Sequence, residues 1–149
     1  MIPLALAVEL KQAGLVWRTS THDFFAVPDR GLDDRVFVLA DMVAYTELVQ
    51  GWPAVAFHGT AEWALDYIFT DEIVWMPTEE QLRDALQDNL HGHSGTTPTL
   101  LLSYQAGDGY HCHIDFREQT LTFDAPTAGE AYARALLHVL AQRNRPNGV

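Results

Sequence analysis

The chain has 149 residues, the length of one ordinary domain, and 48% of them are hydrophobic and 19% charged. That balance suits a globular protein with one core and excludes a disordered, collagen-like or coiled-coil chain. Twenty Asp and Glu against nine Lys and Arg give a formal charge of −11, which argues against nucleic-acid or membrane-surface binding because both need clustered cations.

The first expected element is a helix over residues 3–13. Pro3 suits a first helical turn, Leu4, Ala7, Val8 and Lys11 recur at helical spacing, and Gly14 ends the run. The segment from Met1 to Val8 is apolar but has no cation before it and is interrupted by Glu9 and Lys11. It is too short for a signal peptide or a membrane span. Short apolar runs follow, at Leu15 to Trp17, Phe24 to Val27 and Val36 to Leu39, separated by turn residues such as Pro28-Asp29-Arg30-Gly31. They read as an antiparallel meander.

Asp41 is placed to cap a helix running through Val49 and ended by Gly51, with a strand at Ala54 to Phe57 after it. Thr60 is placed to cap a helix over residues 61–69, in which Trp63, Ala64, Tyr67 and Ile68 share one face. Ile73 to Met76 reads as a strand closed by Pro77. Thr78 and Gln81 match the capping-box pattern, ahead of a helix whose apolar stripe is Leu82, Ala85, Leu86 and Leu90.

Residues 91–98 form a polar loop without periodicity. Leu100 to Leu102 and Tyr110 to Phe116 flank Gly107-Asp108-Gly109, a strong hairpin signal, and Thr120 to Phe123 supplies a third strand. A helix over 127–143, started by Pro126 or Thr127, has a broad apolar face, and 144–149 is a frayed tail. The expected fold is α+β: one domain over 1–143, with two antiparallel meander groups packed against N-terminal, central and C-terminal helices.

Charge is concentrated in the middle of the chain. Residues 41–90 carry ten acids opposed by Arg83 alone, a sum of −9, while each flank stands at −1. Glu80, Asp84 and Asp88 fall at i, i+4 and i+8 of the helix after Pro77, in line with one another and opposite Leu82 and Leu86. Like charges at that spacing cost a helix about 0.2–0.5 kcal/mol per pair. Such a stripe serves either solubility or a basic partner, and Glu62 and Asp66 extend the same acidic region. Trp52 lies among turn residues in Gln50-Gly51-Trp52-Pro53, and of the four tryptophans it is the expected exposed interface anchor.

His111-Cys112-His113-Ile114-Asp115 is the most suggestive chemical string. On a strand, His111, His113 and Asp115 share one face, and two imidazoles with a carboxylate suit a divalent metal; Cys112 faces the other way, toward the core. The string resembles the first half of the metallo-β-lactamase signature, but phenylalanine stands where that signature has its closing histidine, and the chain is too short for the two-layered fold. The competing reading is a half-buried strand with one wet face. His91 and His93 in the polar loop are candidates to join the cluster, while His22-Asp23 and His58 read as turn or core-edge residues. Asp29, Asp33 and Asp34 around Gly31 lack the spacing of a calcium loop.

There is no phosphate-binding Gly-x-x-x-x-Gly-Lys-Ser/Thr loop, no dinucleotide-binding Gly-x-Gly-x-x-Gly opening a βαβ unit, no Gly-x-Ser-x-Gly, no paired CxxC and no His-Glu-x-x-His. A single cysteine, Cys112, cannot form an internal disulfide and fits a reducing cytoplasm.

The stretch from Asp23 to Gly31, the stretch from Asp33 to Leu39, and Gly59 to Tyr67 together resemble a family of small uncharacterised bacterial proteins, some of them labelled pilus-assembly proteins. The resemblance covers most of the first ninety residues and implies a small bacterial cytoplasmic protein. It implies no ATPase, since the nucleotide-binding loop is missing. The sequence thus favours a non-enzymatic binding or adaptor protein that meets a protein partner through its acidic central face, with a homodimer as one form. The alternatives are a small metal-binding protein or metal-dependent enzyme at His111, His113 and Asp115, and an immunity-like or DNA-mimicking inhibitor.

Overall fold

The computed structural model describes residues 1–32, 35–40, 44–57, 67–91 and 97–145. In chain order the elements are α1 (Leu4–Gln12), β1 (Phe24–Ala26), β2 (Val36–Val38), β3 (Ala44–Val49), β4 (Trp52–Phe57) and β5 (Tyr67–Phe69). A 3-10 turn at Thr70–Glu72 follows, then β6 (Val74–Trp75), α2 (Glu79–Leu90), β7 (Leu100–Gln105), β8 (Gly109–Phe116), β9 (Gln119–Ala125) and α3 (Ala128–Arg143). The protein is α+β, with three antiparallel sheets of three strands each. No helix among the described residues is long and apolar enough to cross a membrane. The chain gathers into two compact units, one of residues 1–15 with residue 77 onward and the other of residues 16–76.

In the first unit α3 packs on β8 and β9, and also on α1 and α2. That double duty explains its broad apolar surface: Ala131, Tyr132, Ala133, Ala135, Leu136, Val139 and Leu140 are all buried. α2 presents Leu82, Leu86 and Leu90 to the core. Its start is fixed by the expected capping box, with Gln81 N–H donating to Thr78 Oγ1 at 3.3 Å and Thr78 N–H donating to Gln81 Oε1 at 2.9 Å. A cap of this kind contributes about 1 kcal/mol. α1 ends where Gly14 N–H bonds to the Lys11 carbonyl and Leu15 N–H to the Leu10 carbonyl, a pattern that satisfies carbonyls left open by the last turn.

The sheet of this unit has the order β7-β8-β9. Its first hairpin closes at Gln105↔Gly109, as the Gly107-Asp108-Gly109 signal predicts. Gly109 has φ +97, and a Cβ there would stand 2.7 Å from the Ala125 carbonyl oxygen, so no other residue fits without movement. The second hairpin pairs Phe116 with Gln119 around Arg117 and Glu118, which have φ 52 and 63. A two-residue turn of this hand matches strand twist but asks both residues to be left-handed.

The second unit holds two sheets, ordered β2-β1-β6 and β3-β4-β5. Phe25 is its hub, buried with Val27, Leu39, Val55, Ile68 and Ile73, and stacked on Phe37 with ring centroids 5.5 Å apart. Val55 on β4 stands opposite Ile68 on β5, which brings the second sheet's inner face into this cluster.

Several expectations for this stretch of the chain are corrected. Residues 44–49, expected as the body of a helix, form strand β3, paired with β4 from Ala44↔Phe57 to Val49↔Trp52. The Gly51 read as a helix end is the second residue of a tight hairpin turn, with Gln50 at φ 52 and Gly51 at φ 83. Of the helix expected over 61–69, residues 61–66 lie outside the described residues, and Tyr67–Phe69 is a strand because it completes the ladder on β4. Leu15 to Trp17 forms no strand; Trp17 instead packs its ring on Phe25 at 6.0 Å. The expected α+β arrangement of antiparallel strands holds, with the strands distributed over three sheets.

Candidate functional site

The strand β8 alternates as its sequence demands. Cys112, Ile114 and Phe116 are buried on the side covered by α3, while His111, His113 and Asp115 occupy the opposite face. Register then decides their neighbours, because His111 lies opposite Asp124, His113 opposite Thr122 and Asp115 opposite Thr120 on β9.

Each of the three has its own partner. His111 Nδ1 is 2.6 Å from Asp124 Oδ1, and its Nε2 is 3.2 Å from Asp108 Oδ2 in the preceding turn. The hydrogen bond to Asp124 raises the His111 pKa above 6.5; desolvation opposes the shift, and the charges of Asp124 and Asp108 reinforce it. His113 Nδ1 lies 2.8 Å from Thr122 Oγ1 and its Nε2 3.4 Å from Ser103 Oγ. Thr120 Oγ1 donates to Asp115 Oδ1 at 2.8 Å. The two imidazoles stack with centroids 6.5 Å apart. Among the described residues, no three His, Cys, Asp or Glu side chains are gathered so as to hold a metal ion. His91 is exposed just after α2, and His93 lies outside the described residues. On the buried side, desolvation pushes the Cys112 thiol up to about 11, which keeps it protonated and unreactive.

The acidic stripe is on the surface. Glu80, Asp84 and Asp88 are exposed along α2, with Glu80 and Asp84 side chains at 77% and 58% of full exposure. Arg83 sits between them, 3.6 Å from Glu80 and 3.2 Å from Asp84. Exposed pairs of this kind are worth about 0–1 kcal/mol. One turn of helix rises about 5.4 Å, so the three carboxylates succeed one another at close to that spacing. Glu79 and Glu80 lie in the first turn, where the helix dipole favours negative charge. Glu62 and Asp66 lie outside the described residues.

Trp52 is 69% exposed. It borders a cleft of about 500 Å³ lined also by Gln50, Pro53, Phe69, Thr70 and Asp71. The tight turn before it brings the indole to the end of the β3–β4 hairpin, and Ala54↔Phe69 pairing brings β5 alongside.

Sequence reasoning missed the residues that organise the polar sheet face: Asp108, Asp124, Thr122 and Ser103. The alternation along β9 was available as a signal, but only the β8–β9 register says which of its polar residues meets which histidine. Asp23, read from the sequence with His22 as a turn or core-edge residue, is buried at 3% exposure and accepts hydrogen bonds from Trp17 Nε1 and from the Ser20 N–H, both at 2.8 Å. That carboxylate organises a turn, and its neighbour His22 is tied through its backbone N–H to the Leu39 carbonyl. The chain matches no family model, no curated protein and no solved structure.

Proposed function

We propose that this chain is a non-enzymatic binding or adaptor protein of the cytoplasm that engages a basic protein partner through the acidic face of α2. The observation that carries the reading is the exposed line of Glu80, Asp84 and Asp88, interrupted by Arg83 alone, on a helix whose start is held by a full capping box. Such a line repels itself at a cost of about 0.2–0.5 kcal/mol per pair. A partner carrying Lys or Arg at matching spacing would relieve that repulsion, and the preorganised helix reduces the entropy lost on association. The partner is a protein rather than a nucleic acid, since the same charge repels phosphates. Trp52, exposed beside its cleft in the other unit, is a separate candidate contact, independent of the α2 face.

The test compares the wild type with a Glu80→Gln, Asp84→Asn, Asp88→Asn variant as bait in cell extract, at low and high salt. Retention of a basic protein that weakens with salt and is lost in the variant supports the proposal. A captured set that is identical for both baits and indifferent to salt overturns it.

A further inference from the structure

The two edges of the β7-β8-β9 sheet are finished differently. At the β9 edge, Asp124 places a charge on the strand, and its backbone carbonyl accepts a hydrogen bond from the Arg134 guanidinium. Charges and capped carbonyls of this kind are the ordinary protection of an exposed edge. The β7 edge has none of it. Leu100–Gln105 reads Leu-Leu-Leu-Ser-Tyr-Gln, without a charge or a proline, and its pairing with β8 runs through six consecutive residues without a bulge. Leu101 and Tyr104 are 57% and 64% exposed. Among the described residues no strand pairs with its outer side.

The direction of its backbone groups follows from one bond. Asp115 N–H donates to the Thr99 carbonyl at 3.1 Å, so Thr99 faces β8. Residues alternate along an antiparallel strand, and Leu101, Ser103 and Gln105 therefore also face β8. Leu100, Leu102 and Tyr104 turn their N–H and C=O groups outward. This outward set is symmetric about Leu102.

We infer that β7 is a self-association edge, at which a second copy of this chain adds its own β7 antiparallel across a two-fold axis at Leu102. In that register Leu102 faces Leu102 of the second copy, Leu100 faces its Tyr104, and Leu101 faces its Ser103. All outward N–H and C=O groups of the three residues are then paired. Opposed residues share a face, so the α3-covered side and the polar side each continue across the junction, and the His111 and His113 stripes of both copies lie on one surface of a six-stranded sheet. The occupant is a second copy because the edge is complementary to itself, and because a chain of charge −11 can approach its like without bringing acids together only along an uncharged segment. The inference is independent of the α2 reading.

Sedimentation of the full chain tests it. The wild type is expected to sediment as a dimer. Tyr104→Asp, a change at an exposed side chain, and Leu102→Lys, which sets two cations against each other on the axis, are each expected to halve the mass. Leu102→Cys is expected to form an intermolecular disulfide on mild oxidation, whereas Leu101→Cys, opposite a serine, is not; the native Cys112 is buried and does not compete. A wild type that is monomeric overturns the inference. So does a dimer that survives Tyr104→Asp, or one that crosslinks through position 101 instead of 102. The Glu80, Asp84 and Asp88 variant should leave the dimer intact, which separates this result from the fate of the partner-binding proposal.

Discussion

His111 and Asp124 meet across the β8–β9 ladder at 2.6 Å, the imidazole facing the carboxylate of its own register partner. Because this contact favours the imidazolium in the folded chain only, the His111 pKa is raised above 6.5. A group raised on folding contributes stability that is complete below its unfolded value and is lost as pH rises through the folded one. The melting temperature of the wild type should therefore exceed that of Asp124→Asn below pH 6.5 and converge on it as pH rises above that value. A gap that stays constant across the range would show that the carboxylate acts by packing alone.

Cys112 is fully buried beneath α3, and desolvation holds its thiol near 11. In the native protein it should resist alkylation at mildly alkaline pH and react at once in denaturant. Fast labelling without denaturant would contradict this burial.

Glu118 pays for its left-handed backbone, φ 63, with a side chain that disfavours it. Glu118→Gly should stabilise the protein by about 1 kcal/mol, read as a higher denaturation midpoint. Arg117 should be left unchanged, since its guanidinium lies 5.2 Å from the Phe116 ring centroid and donates to the Gln142 carbonyl at 3.1 Å.

Asp23→Ala removes the acceptor shared by the Trp17 indole and the Ser20 N–H. Leaving these part-buried donors without their charged acceptor costs about 1–3 kcal/mol. Denaturant unfolding should show a loss in that range, and Asp23→Asn, which keeps one oxygen, should lose less.

The parts of the fold that were legible in the sequence are those built from local signals. Thr78 and Gln81 announce α2, Gly107-Asp108-Gly109 announces the β7–β8 hairpin, and the alternation from Tyr110 to Phe116 sets the two faces of β8. The misreading of residues 44–49 has a physical cause. Gly51 ends helices and completes tight hairpin turns equally well, and Gln50 beside it gives no sign of a positive φ. The pairing of β6 with β1, Phe25↔Trp75, joins segments fifty residues apart and leaves no local trace. For the candidate site, exposure of the α2 stripe and of Trp52 follows from pattern, whereas the partners of His111 and His113 depend on register.

The interruption of one compact unit by the other has a consequence during synthesis. Residues 16–76 are contiguous, but α1, translated before them, packs on α3, translated after them. At about 5–20 residues per second, the N-terminal helix waits several seconds for its partner, with Ala7 and Leu10 uncovered. Helix α1 is thus translated well before it can reach its native place, and its exposed apolar side is what a nascent-chain chaperone would meet.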